Sequence, residues 1–220
     1  MTSHSKKNEQ KEKLQAPFEI IDGVRLFDWK LTVKYLTTIG KRKFGKHFHF
    51  YNEDAEILRN LILYAIRDEE RCKERGIDLE KGILLIGPIG CGKTSLMKLI
   101  QTLSYKDQRY GVKTTREVAY EFQKEGYEVI HRYGKRPHPI CFDDLGVESN
   151  IKFYGNECNT MAEILLHRYE LWVEYRIVTH ATTNLNAQEL EEMYGNRVRS
   201  RLREMFNLFS FDGEAKDKRK

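Results

Sequence analysis

Gly87-Pro88-Ile89-Gly90-Cys91-Gly92-Lys93-Thr94 spell G-x-x-x-x-G-K-T directly behind the apolar run Gly82-Ile83-Leu84-Leu85-Ile86. A buried strand, a tight glycine turn and a helix start are what phosphate binding needs. Successive backbone N–H groups then form an anion-holding concavity, and the helix N-terminus adds about half a positive charge. Lys93 is placed to reach β and γ phosphates, the Thr94 hydroxyl to coordinate Mg²⁺, and Ser95 closes the binding set. The pattern implies a nucleoside triphosphate, ATP with Mg²⁺, as ligand.

Three further groups end apolar or helical segments with polar chemistry. Ile140-Cys141-Phe142 runs into Asp143-Asp144. Asp143 is suited to hold Mg²⁺ through oxygen, and Asp144 to orient and deprotonate an attacking water. Alone, the pair also reads as a solvated strand end entering a turn at Gly146; the upstream phosphate loop strengthens the metal reading. A strand over 175–182 leads into Thr182-Thr183-Asn184, where Asn184 is suited to bind the attacking water or a γ-phosphate oxygen, or else to cap the next helix. The segment 196–205 carries Arg197 and Arg201 on one flank of a helix and Arg199 and Arg203 on the other. Such a helix is either a solvated face or the source of an arginine that reaches a neighbouring subunit's γ-phosphate.

The elements that must position these groups alternate. An amphipathic helix over 53–67 precedes the loop strand, and the helix behind Lys93 buries Leu96, Met97, Leu99, Ile100 and Leu103. A second strand, Gly111–Thr114, ends in Thr114-x-x-Glu117, a capping box opening another helix. A helix over 158–172, short helices over 186–193 and 196–205, and a last strand over 207–211 complete the pattern. Strands alternating with helices predict an α/β fold: a mainly parallel five-stranded sheet in a three-layer sandwich with helices on both faces. Residues 1–17 read as a disordered tail, 18–51 as a small segment with a helix over 28–37 and a basic turn over 40–46, 52–213 as the core, and 214–220 as a basic tail.

The formal net charge is +5, of which residues 1–13 and 214–220 each contribute +2, so the body is close to neutral. Phosphate-backbone binding is permitted and not demanded. Cys72, Cys91, Cys141 and Cys158 lie far apart with no C-x-x-C pair, which argues against a disulfide framework or a zinc ribbon and fits a reducing cytoplasm. Neither a signal peptide nor a membrane span is expected. His47 and His49 lack a third ligand at metal spacing, Phe44 among the cations of 41–46 is a possible single-strand contact, and Cys91 places a thiol inside the loop.

Together these motifs resemble the AAA+ P-loop ATPases, and within them the lidless helicase-loader type, DnaC-like, with IstB-like transposition ATPases as near relatives. The likeness covers roughly residues 52–219. Residues 87–94 resemble Walker A, Cys141-Phe142-Asp143-Asp144-Leu145-Gly146 resembles Walker B, Thr182-Thr183-Asn184-Leu185 sensor 1, and Tyr194-Gly195-Asn196-Arg197-Val198-Arg199-Ser200-Arg201-Leu202 the arginine-finger box. The resemblance implies Arg201 as finger with Arg197 second, Arg219 as a sensor-2-like cation, ATP hydrolysis in a head-to-tail homo-oligomer, and a replicative helicase or other DNA-processing partner with single-stranded DNA. Two departures stand out: Asp144 occupies the catalytic-glutamate position, and no lid follows the last strand. A nucleotide-gated assembly module with slow hydrolysis, or a small-molecule kinase, shares the phosphate loop.

Overall fold

The computed structural model describes residues 14–148, 151–153, 156–213, 215, 217 and 218. The chain divides into two units, Met1–His49 and Phe50–Lys220.

In the first unit, β1 (Phe18–Ile21) and β2 (Val24–Phe27) pair antiparallel. Asp22 and Gly23 join them with φ of 50° and 79°, a turn whose twist suits a hairpin. This hairpin was not expected from the sequence. Helix α1 (Trp29–Phe44) begins where the Asp28 side chain accepts the Leu31 N–H at 2.7 Å. It runs well past the expected 28–37, so Lys41, Arg42 and Lys43 occupy its last turn instead of a loop. The reason is packing: a Cβ on Gly40 would lie 2.2 Å from the Phe48 ring, so glycine here admits the aromatic and the helix continues beneath it.

The second unit opens with α2 (Ala55–Ile66), entered through a single 3₁₀ turn, Asn52–Asp54, and closed by left-handed Arg67. Next come α3 (Glu69–Glu74), β3 (Gly82–Ile86), α4 (Lys93–Ile100) and β4 (Gly111–Thr114). Helix α5 (Thr115–Glu125) starts from the expected capping box of Thr114 and Glu117, and α6 (Glu128–Gly134) leads to β5 (Ile140–Leu145). A short hairpin, β6 (Ile151–Phe153) and β7 (Asn156–Cys158), precedes α7 (Thr160–Tyr175). The chain ends with β8 (Thr179–Thr183), α8 (Ala187–Met205) and β9 (Phe206–Ser210). The two helices expected over 186–193 and 196–205 correspond to α8, broken at Gly195 (φ 84°, ψ 160°). The strand expected over 175–182 starts four residues late, because α7 runs to Tyr175 and Arg176 caps it in the left-handed region.

Five strands form one parallel sheet in the order β4-β5-β8-β3-β9. This is the α/β architecture that the alternation predicted. One face is sealed by Leu84, Phe142, Ala181 and Phe206 under apolar residues of α5 to α8. The other takes α2 and α4, where the Tyr64 and Tyr110 rings sit 5.8 and 4.3 Å from His180. A buried arginine ties the base of the sheet together. Arg168 of α7 donates to the carbonyls of Arg136 (2.6 Å), His138 (3.2 Å) and Val178 (3.1 Å) and to the Thr179 hydroxyl (2.7 Å). Burial and the neighbouring Arg136 lower its pKa to about 10, so the cation persists at neutral pH. Among the described residues no helix is long and apolar enough to cross a membrane.

His180 is 1% exposed, and its Nδ1 accepts the Ile83 N–H at 3.1 Å, which fixes the neutral ring. Burial, aided by Arg168, lowers its pKa to about 3. A base depressed on folding stabilises the fold fully above its unfolded pKa of about 6.5 and loses that contribution as pH falls toward the folded value. Urea unfolding should therefore show about 2 kcal/mol lost to this group between pH 7 and pH 5. A His180→Leu variant, whatever its absolute stability, should lack that part of the slope; an unchanged slope would rule this account out.

Candidate functional site

The carboxyl ends of β3, β5 and β8 converge on the expected residues. Gly87 follows β3, its N–H bonded to the Thr183 carbonyl at 3.2 Å; a Cβ there would come within 2.8 Å of Phe211 and 3.0 Å of Cys91 Sγ. Gly92 stands at φ 100°, a left-handed position that glycine holds without strain, and α4 begins at the next residue. Pro88, Ile89, Gly90 and Cys91 form the turn between, and Thr94 and Ser95 lie in the first turn of α4, beneath its N-terminal dipole. Lys93 is buried, and its ammonium donates to the carbonyls of Gly87 (2.7 Å) and Pro88 (2.9 Å). Burial pushes the Cys91 thiol up against the opposing pull of Lys93, so the thiol stays protonated at neutral pH and is a poor target for oxidation.

The two acids occupy a β-bulge. Phe142 pairs with Ala181 and Leu145 with Thr183, so Asp143 and Asp144 together face one residue, Thr182. The Thr182 hydroxyl donates to Asp143 Oδ1 at 2.7 Å and accepts the Asp144 N–H at 2.9 Å. The Thr94 hydroxyl lies 2.9 Å from both Asp143 oxygens. Thr115, first residue of α5, holds the Asp144 carbonyl at 2.7 Å. Asp144 itself has φ 59°, a conformation that Asp and Asn tolerate better than longer side chains. Asp143 is buried, with hydroxyls as its hydrogen-bond partners, and this all-oxygen donor set with Thr94 suits Mg²⁺.

Asn184 follows β8, exposed and bonded to no described residue. The cap of α8 is Asn186, which forms a capping box with Glu189, so Asn184 is not spent on capping. The arginines lie elsewhere. Helix α8 runs into β9, whose Phe206 is level with Gly82 at the amino-terminal end of β3, so Arg201 sits toward the end of the sheet opposite the loop. Its guanidinium rests 4.5 Å over the Tyr169 ring and 3.3 Å from Glu204. Arg197 is exposed, and Arg199 pairs with Glu191. Arg219 lies outside the described residues, and among those described no group of three or more His, Cys, Asp or Glu could hold a metal ion.

Three participants were missed or underweighted in the sequence. In the sequence Thr182 reads only as part of a motif, although its strand register makes it the link between both acids. Glu148 accepts the Gly146 N–H at 3.0 Å and the Tyr194 hydroxyl, fixing the turn after Asp144. Lys218 donates its backbone N–H to Gly90 O (3.0 Å) and its ammonium to Cys91 O (2.9 Å) and the buried Asp54 carboxylate, 5.0 Å over the Tyr51 ring. No periodicity marks these contacts, and those of Glu148 with Tyr194 and of Lys218 with Asp54 and Cys91 join residues far apart in the chain.

No protein-family profile matches the chain. It is 37% identical over 99 residues to a proteasome-activating nucleotidase of Sulfurisphaera tokodaii, a match covering 43% of this chain and 25% of that protein. It is 51% identical over 45 residues to a candidate ribosome biogenesis ATPase of Dictyostelium discoideum, covering 20% of this chain and 5% of the other. The chain thus spans a quarter or less of these relatives. In structure it is similar to the DnaC helicase loader (TM-score 0.53, 18% identity, 76% of this chain and 94% of that one). It is similar also to a candidate primosome component from Streptococcus pyogenes serotype M3 (TM-score 0.52, 21% identity, 76% and 83%). With these two structures it shares a fold, a parallel five-stranded α/β sheet with helices on both faces.

The bulge makes a prediction about Asp144 that stability alone can test. Asp144→Gly should unfold at equal or higher denaturant than the parent, whereas Asp144→Glu should lose about 1 kcal/mol to left-handed strain. Equal stability of the glutamate variant would mean that the backbone does not select the shorter acid.

Proposed function

We propose that this chain binds ATP with Mg²⁺ at residues 87–95 and hydrolyses it as a head-to-tail oligomer, acting in the cytoplasm as a helicase-loader-like factor in DNA transactions. The observation that carries the reading is the hydrogen-bonded string Thr94–Asp143–Thr182–Asp144 beside Lys93. Lys93 exchanges its loop carbonyls for β and γ oxygens. Thr94 and Asp143 would hold the metal, which would supply positive charge to offset that of the phosphates. Asp144 accepts a proton from the attacking water, and Asn184 orients that water. Arg201 is too far round the fold to serve its own loop, and in the oligomer it is delivered to a neighbour's γ-phosphate. Residues 18–51 serve as the partner-recognition segment, for a replicative helicase or another DNA-processing enzyme.

Lys93→Ala should abolish the heat of ATP binding in calorimetry, and Asp144→Asn should bind ATP but hydrolyse it about 10²–10⁴-fold more slowly. Arg201→Ala should do likewise, and mixing these last two inactive variants should restore part of the rate, since some interfaces then combine an intact Asp144 with an intact Arg201. Normal hydrolysis by Arg201→Ala alone sinks the shared-site reading. A second reading, a nucleotide-gated assembly module with slow hydrolysis, draws support from Asp144, whose short arm in a bulge reaches less far than a glutamate.

A further inference from the structure

The segment behind β9 runs on beside β3 and back to the phosphate loop. Phe211 donates its N–H to the Ile86 carbonyl at 2.8 Å, and Ala215 turns the chain by bonding the Asp212 carbonyl at 3.0 Å. Asp217 and Lys218 then lie against the loop itself. A Cβ on Gly90 would collide with the Asp217 carboxylate, so glycine at this position is what lets the segment approach. Lys218 binds two consecutive loop carbonyls: its backbone N–H donates to Gly90 O at 3.0 Å and its ammonium to Cys91 O at 2.9 Å.

These two bonds have a direction. A planar trans peptide unit points its C=O and its N–H opposite ways. The Gly90 and Cys91 carbonyls, drawn toward Lys218, therefore turn the N–H groups of Cys91 and Gly92 away from it. The Cys91 N–H leans to the Pro88 carbonyl at 3.4 Å, across the inside of the turn. An anion-holding turn works by giving successive N–H groups a common direction. Here a lysine outside the turn sets that direction for two of them.

The anchor of this lysine is built. Asp54, which precedes α2, is 5% exposed and makes no cap hydrogen bond to that helix, so capping does not explain its carboxylate. Its ion-pair partner is the Lys218 ammonium, on a side chain that is itself 12% exposed. The rings of Tyr51 and Phe211 stand 5.0 and 5.1 Å from the same nitrogen. Removing one member of such a pair leaves the other charged and buried, which is strongly destabilising. Lys218 thus ties together the entry to α2, the segment behind β9 and the turn between β3 and α4.

We propose that Lys218 is a positioning residue for triphosphate binding: anchored on Asp54, it holds the Gly90 and Cys91 carbonyls outward and so preforms the N–H cradle that receives the phosphates. The inference rests on the ATP reading of residues 87–95 and adds to it a residue that acts through the loop and touches no phosphate.

Lys218→Met alone should unfold at lower urea than the parent, because Asp54 stays charged and buried. The double variant Asp54→Asn/Lys218→Met removes both charges and should regain most of that stability. Calorimetry on the double variant should show ATP binding weakened about tenfold. Steady-state hydrolysis should show KM raised by about the same factor with kcat nearly unchanged, since a preformed cradle serves ground state and transition state alike. In the nucleotide-free protein the ¹⁵N–¹H signals of Cys91 and Gly92 should move, and those of Gly111 and Val112 in β4 should not. If the double variant does not fold, Asp54→Asn alone replaces it, with an expected loss of affinity of about threefold from the loosened anchor. The proposal is overturned if the folded variant binds ATP like the parent, or if the loop amide signals stay in place. Tighter binding also overturns it, as the mark of a segment that covers the site, and so does a fall in kcat at constant KM, as the mark of a cation that meets the phosphates directly. A parent that binds no ATP sinks the proposed function itself, an outcome that calorimetry separates from a parent and variant that bind equally well.

Discussion

The site depends on one irregularity in an otherwise regular sheet. An extra residue in β5 opposite Thr182 turns what would be an alternating pair, one acid in and one out, into two acids gathered at the same strand end. A single hydroxyl then serves both: it donates to the Asp143 carboxylate and accepts the Asp144 N–H. In a strictly alternating strand Asp143 and Asp144 would point to opposite faces. The helices on those faces would then bury one of them without a partner, at a cost that a carboxylate in an apolar layer makes prohibitive. The bulge, the threonine and the left-handed Asp144 are thus one solution to one problem.

This explains why chemistry-bearing residues come from three strands and not one loop. β3 ends in the glycine turn, β5 in the acids and β8 in Thr182 and Asn184, and parallel pairing brings those ends level with each other. The helices contribute by what they start. α4 begins at Lys93, within the loop; α5 begins at the Thr114 cap, so that Thr115 can hold the Asp144 carbonyl. Local capping chemistry and the geometry of the candidate site are in this sense the same fact. The buried Arg168 plays a similar part at the other end of the sheet, where two loops share one guanidinium.

What the sequence made legible follows from the range of the forces involved. The phosphate-loop strand and its helix, the Thr114 capping box and the alternation of five strands with helices are written in short-range periodicity and capping, and apart from β8, whose start the end of α7 displaces, they stand near where the pattern put them. The hairpin at Phe18–Phe27 was overlooked because four-residue strands carry too little alternation, and the true length of α1 because Gly40 reads as a breaker until Phe48 is seen against it. The bulge was invisible since nothing within β5 announces what faces it across the ladder. Lys218 and Asp54, 164 positions apart, meet by tertiary placement alone.

Arg201, partly buried, stacks on Tyr169 and leans on Glu204 of its own chain. Such contacts are individually weak, on the order of 1 kcal/mol or less, and fade as ionic strength rises. The side chain is therefore held in a docked posture that a neighbour can outbid at small cost. In the proposed oligomer, protomer association would be coupled to an exchange of partners by this one residue, and the threshold for assembly would be set by the acidity of position 204 and the electron density of the ring at 169.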